Sequence, residues 1–177
     1  MDSSKKSRPF HMQIYEILKN QILMGKLNSG ERLYENKISQ ELGVRRSPVR
    51  EALRMLEQDE LVMVTPSGLI VNPMDYSDME EVYQCRIATE PFAVYLAVNN
   101  LTESEIDSLK AFVEAAREFH RQKEFAKLVE ANTGFHDGII EKCGNVRLRG
   151  IIDKLRSLAI LSRRAEFECY NRDNEYL

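Results

Sequence analysis

The chain has 177 residues, 43% hydrophobic and 30% charged, an ordinary globular composition that excludes disordered and collagen-like classes. No stretch approaches the roughly 18 to 20 apolar residues of a membrane span, and the polar, basic start at 1–8 has no apolar run behind it, so neither membrane insertion nor secretion is expected. The net charge of −3 hides an asymmetry: 11 Lys and Arg against 9 Asp and Glu up to Pro73, then 14 against 19 from Met74 onward.

Residues 1–9 read as a flexible arm. Over 10–24 the apolar residues Phe10, Ile14, Ile17, Leu18 and Ile22 recur with the period of a helix that buries one face, and Gly25 stops it. A second short helix is expected over 34–42, burying Ile38 and Leu42, with Gly43 suited to a left-handed C-terminal position. Ser47 then serves as a candidate N-cap and Pro48 as a first helical residue, with Val49, Leu53 and Leu56 continuing an apolar stripe. Two helices joined by a short glycine-containing turn make a helix-turn-helix. The period next changes to β-rich runs at 61–64 and 69–71, separated by Thr65-Pro66-Ser67-Gly68, which predicts a hairpin wing. Asn72-Pro73-Met74 ends this unit, because proline restricts the residue before it and cannot continue a ladder.

After a linker at 73–77 everything reads helical, over 76–99, 102–121, 124–142 and 146 to about 168, with Thr102 and Glu105 spaced as a capping box. The fold class is therefore mostly α: a winged helix-turn-helix of three helices plus a β-hairpin at 10–72, followed at 78–177 by an all-α helical bundle. Cys85, Cys143 and Cys169 are odd in number and widely spaced, unlike a disulfide framework or zinc site, and are expected as thiols in a reducing cytoplasm.

The positive charge of the first unit gathers at Arg45, Arg46, Arg50 and Arg54. In a helix-turn-helix the N-terminal end of the second helix faces base edges in the major groove, and that is where Arg45, Arg46, Ser47 and Arg50 stand. An arginine fork can engage guanine O6 and N7 together, and a helix N-terminus attracts phosphate. Arg54, one turn further on, is a backbone contact, and Gly68 lets the wing approach a minor groove closely. The alternative for each arginine alone is a solvated, salt-bridged helix face.

The run from Gly43 to Leu53, GVRRSPVREAL, with the upstream SGERL at 29–33 and Glu35, resembles the winged-helix domain of GntR-type bacterial regulators. The resemblance implies that Arg45, Arg46, Ser47, Arg50 and Gly68 contact operator DNA. It departs at Asn36, where many members carry a basic residue.

In the helical part, Met79, Tyr83, Arg86, Glu90, Val94 and Ala97 form an inward stripe that sets an arginine and a glutamate one turn apart, either as an ion pair or with Arg86 poised for a carboxylate ligand. Pro91 should kink that helix. Asn132 and His136 lie i, i+4 apart with Phe125, Val129 and Ile139, a spacing that serves a buried hydrogen bond or two ligands of one divalent ion. Asn132-x-x-Phe135-His136-x-x-Ile139 with Gly144-Asn145-x-x-Leu148 is similar to the FCD effector domain of the FadR-like branch, in which an acid or amide and three histidines hold a metal beneath a ligand pocket. The resemblance implies Asn132 and His136 as a partial site for Zn, Ni or Mn, provided further ligands follow. His11 and His120 fall outside the motif and 171–177 shows no apolar closure, so a fragment lacking the C-terminal part is expected.

The functional expectation is a cytoplasmic, nucleoid-associated regulator and not an enzyme. It is expected to act as a homodimer on double-stranded operator DNA, with its affinity controlled by a small, organic-acid-like effector and with no membrane partner. The alternatives are a metal-dependent hydrolase at Asn132 and His136, which lacks a nucleophile motif and an acid/base partner, and a winged helix that binds protein.

Overall fold

The computed structural model describes residues 8–174, without the side chains at 125, 126, 129 and 163–174. The expectations for Cys169, for the Phe125 and Val129 side chains, for most of the arm at 1–9 and for closure at 171–177 lie outside the described residues. The element order is α1 (Phe10–Leu23), α2 (Glu35–Glu41), α3 (Arg46–Gln58), β1 (Val62–Thr65), β2 (Gly68–Val71), α4 (Tyr76–Val98), α5 (Glu103–Arg121), α6 (Phe125–Glu141) and α7 (Val146–Asn174). The mostly helical class with a two-stranded wing is as the sequence implies.

Contacts divide the chain into two compact units, one of residues up to Tyr83 together with those from Arg156 onward, the other Gln84–Leu155. In the first unit, Ile14, Leu18 and Ile22 of α1, Ile38 of α2 and Val49, Leu53 and Leu56 of α3 form one buried core with Leu61, Val62 and Val71 of the wing. Each such side chain, fully buried, contributes about 1.5 to 3 kcal/mol, which sets these helices without help from caps. Val82, Leu158, Ala159 and Leu161 join the same core. The wing strands pair antiparallel, Val62 opposite Val71 and Thr65 opposite Gly68, and Arg32 forms a further antiparallel bridge to Ile70. Gly43 takes φ +63°, the left-handed turn expected after α2.

The start of α3 corrects the expected cap. Arg45 is the N-cap residue, no side chain caps the helix, and Ser47 and Pro48 are its second and third residues. The first N–H groups of a helix have no acceptor within it, so proline costs no hydrogen bond at the third position, just as at the first.

In the second unit, Thr102 caps α5 with a reciprocal capping box to Glu105, as its spacing predicts. The Asn145 side chain accepts from the Leu148 N–H at 3.0 Å and so caps α7. α5 packs along α6, where Gly134 and Gly138 lie one turn apart. A Cβ at Gly134 would meet the Phe112 ring at 2.5 Å and one at Gly138 would meet Leu109 at 3.0 Å, so the pair of glycines is what lets the two helices approach. α4 continues through Pro91 as one helix. Its stripe is corrected in part: Val82, Ala93 and Ala97 are buried, whereas Val94 is 43% exposed.

Candidate nucleic-acid interface and helical cleft

The turn between α2 and α3 is closed by Val44 N–H donating to Ser39 O at 3.1 Å, and by the Ser39 hydroxyl donating back to the Val44 carbonyl. That closure fixes where α3 begins. Arg45, Arg46, Ser47, Arg50 and Arg54 are all exposed, whereas the opposite face of α3 carries the buried Val49, Ala52, Leu53 and Leu56. The predicted reading residues therefore share the solvent side of the helix, next to an N-terminus whose N–H groups no side chain occupies.

Sequence reasoning assigned no role to Glu35, and the structure puts it at the centre of this surface. Arg50 donates from Nε to Oε1 at 3.1 Å and from Nη2 to Oε2 at 3.0 Å. The Arg50 hydrogen bond, more than any other influence, holds the Glu35 carboxyl below its usual range, and the charges of Arg50, Arg46 and Arg54 push the same way. Three of the four predicted arginines thus act on one carboxylate, Arg50 by direct contact and Arg46 and Arg54 through their charge alone. Two of the five guanidinium N–H groups of Arg50 are taken by Glu35 and three remain. The salt-bridge alternative is correct for Arg50 and Glu35, but the pair orients the guanidinium and does not exhaust it. A lone glutamate opening a short helix gives no sign of this, because its partner lies fifteen residues away.

Gly68 begins β2 with φ +122°, a conformation that L side chains rarely adopt. Space is restricted there as well, since an added Cβ would lie 3.1 Å from both Nε and Nη2 of Arg32. The wing glycine is thus required by its own backbone, and a side chain there would also have to displace the Arg32 guanidinium slightly. His11 of α1 stands 3.3 Å from Glu51 of α3, Nδ1 to Oε2, an exposed contact on the same helix.

Two further candidates lie in the second unit. Arg86 donates from Nε to Glu90 Oε1 at 2.6 Å, the ion-pair outcome of the two readings, and both side chains are about three-quarters covered, at 20% and 26% exposure. Asn132 and His136 line an open cleft of about 400 Å³ between α5 and α6 with Phe112, Val113, Ala116, Arg117, His120, Leu128 and Phe135. His120, set aside on sequence grounds, faces the same space because α5 and α6 run side by side, a juxtaposition that spacing along one helix cannot reveal. Asn132 and His136 are exposed rather than packed in a core. The cleft combines an apolar wall with Arg117, His120 and His136, a lining suited to an anion with an apolar body. Among the described residues no three His, Cys, Asp or Glu side chains gather closely enough to hold a metal. Nor, among them, is any helix long and apolar enough to cross a membrane.

Two family models match the chain, one after the other. Residues 11–68 match the gntR family of bacterial regulatory proteins, and residues 81–176 match the FCD domain. Over 162 residues the chain is 32% identical to the uncharacterized HTH-type transcriptional regulator YdhC of Bacillus subtilis, covering 89% of this chain and 72% of that one. It is 28% identical to the HTH-type transcriptional regulator McbR of Escherichia coli, over 81% of this chain and 66% of McbR. Against the gluconate operon transcriptional repressor of Bacillus licheniformis the identity is 25%, over 85% of this chain and 64% of the repressor. Among solved structures, Escherichia coli McbR/YncC superposes with a TM-score of 0.71 at 26% identity, over 86% of this chain and 72% of that one. A GntR regulator from Rhodococcus sp. RHA1 gives 0.67 at 25%, over 85% and 72%. These relatives and structural neighbours are transcriptional regulators, not enzymes.

Proposed function

The chain belongs to the gntR family of bacterial regulatory proteins and carries an FCD domain behind its winged helix, and from that premise we propose that it is a cytoplasmic regulator controlled by a small acid. In this reading residues 10–72 bind operator DNA and the helices at 78–177 bind the effector and a second copy of the chain. The observation that carries the DNA half is the arginine cluster. Arg46, Arg50 and Arg54 share the exposed side of α3, with Arg50 held by Glu35, Arg45 and Ser47 at the helix start and Gly68 on the wing. Arg50 uses its remaining N–H groups on a base edge, Arg46 and Ser47 take the bases or phosphates beside it, and Arg54 takes the backbone.

The effector half rests on the α5–α6 cleft, whose apolar wall with Arg117, Asn132 and two histidines suits an organic acid. Arg86 does not line that cleft; it stands as a separate candidate, at which a ligand carboxylate would replace Glu90. A divalent ion at Asn132 and His136 needs more donors than the described residues bring: His120 is the one further imidazole lining the cleft among them, and an amide oxygen with two imidazoles falls short of a closed transition-metal site. The hydrolase alternative is not favoured by relatives that are regulators, and the protein-binding alternative leaves the arginine cluster without a use.

The test is fluorescence anisotropy of the chain with DNA from its own promoter region and with random duplex, at about 50 and 200 mM salt. Salt-sensitive binding that prefers the promoter, and that Arg46→Ala/Arg50→Ala abolishes, is the expected result. Equal affinity for both duplexes at both salts would overturn the reading.

A further inference from the structure

We propose that Arg32, braced by Tyr34, is an additional DNA-backbone contact beside the wing; the inference rests on the regulator reading and extends its interface. Residues 32–34 run as an extended segment beside β2, joined to it by an isolated bridge outside the two-stranded sheet. Arg32 bridges Ile70, and Leu33 N–H donates to Leu69 O at 2.8 Å. Side chains alternate along such a segment, so Leu33 is buried at 7% exposure while Arg32 and Tyr34 both face solvent. The Arg32 guanidinium lies over the Tyr34 ring, 5.0 Å from its centroid, and its Nε and Nη2 lie 3.1 Å from the place where a Cβ of Gly68 would be.

Among the described residues no carboxylate pairs with Arg32, in contrast to Arg50. An exposed arginine held over a ring has already lost much of its rotamer freedom, so closing on a phosphate costs it less than it would a free side chain. Position adds to this. Arg32 touches Gly68 of the wing and Tyr34, Tyr34 is followed by Glu35, and Glu35 holds Arg50. Arg32 therefore stands beside the wing glycine and three residues before the Glu35 that holds Arg50 of α3. The partner this fits is a duplex phosphate, because Arg32 stands beside the wing and off α3, the helix that faces base edges.

The test is the salt dependence of binding by the full chain, using a duplex that the wild type selects from a random-sequence pool and a scrambled duplex of the same composition. Each phosphate contact contributes about 0.9 to the slope of log Kobs against log salt on B-DNA. Arg32→Gln is expected to flatten the slope by about that amount and to weaken both duplexes by the same factor, whereas Arg32→Lys keeps the slope. A variant that merely folds less well lowers log Kobs equally at every salt and leaves the slope alone. A wild-type slope in Arg32→Gln overturns the inference, as does a loss confined to the selected duplex. Failure of the wild type to bind either duplex would overturn the regulator reading itself and so stands apart from both.

Discussion

A single carboxylate among arginines decides how Arg50 is presented. Glu35 lowers the net charge facing DNA, which weakens attraction to any duplex, yet it fixes the guanidinium through two hydrogen bonds, which sharpens the reading of one. Glu35→Gln should therefore move two affinities in opposite directions: binding to scrambled duplex rises severalfold while the preference for the selected duplex falls. Anisotropy on both duplexes checks this, and a parallel fall in both affinities would show that Glu35 supports folding alone. The sign of the pH effect follows from its depressed acidity. A carboxylate lowered in the folded state contributes above its ordinary range and loses that contribution as pH falls through the lowered value. Duplex preference should consequently be flat from pH 7 down to 5, and a decline already complete at pH 5 would contradict the pairing.

At the scale of elements, the capping box of α5 carries a second linkage. Glu105 accepts from the Thr102 N–H and pairs with Lys142 at the end of α6, and its carboxyl is pulled down to about 2, chiefly by the hydrogen bond with Lys142. Its contribution is present above the ordinary carboxylate range and disappears as pH falls toward 2. The urea midpoint of the chain should hold between pH 7 and 5 and drop below 4.5, with the drop reduced in Glu105→Gln. Thr102→Ala at neutral pH should cost about 1 kcal/mol, the usual value of an N-cap, and an unchanged urea midpoint would show that the box is dispensable. Thr102 and Glu105 were legible because their signal is local, three residues apart; the wing was legible because Pro66 and Gly68 punctuate an abrupt change of period. Gly134 and Gly138 carried no readable signal, since a small residue in a helix shows its purpose only against the helix that approaches it. The same reason hid His120, Glu35 and Arg32, whose partners lie on other elements. Ser47 misled because serine before proline looks like a cap wherever it stands, and the buried stripe of α3 prevailed over it in setting the helix start.

For the whole molecule the charge asymmetry and the cleft belong to one argument. The net positive charge up to Pro73 favours a duplex and the net negative charge after it disfavours one, so the proposed effector, held in the second part, is expected to act on DNA binding by shifting populations. Linkage then fixes what is measurable. If an organic acid in the α5–α6 cleft changes operator affinity by some factor, the operator must change the affinity for that acid by the same factor, and regulatory couplings usually amount to about 5- to 150-fold. Titration calorimetry with a panel of small carboxylates should find one that binds and that His136→Ala weakens. Repeating the titration in the presence of the selected duplex, and the duplex titration in the presence of the acid, should return equal factors different from one. An acid that binds the cleft with the same affinity whether or not DNA is present would remove the cleft from the regulatory mechanism while leaving the arginine surface of α3 untouched, because a ligand with equal affinity for both states shifts neither.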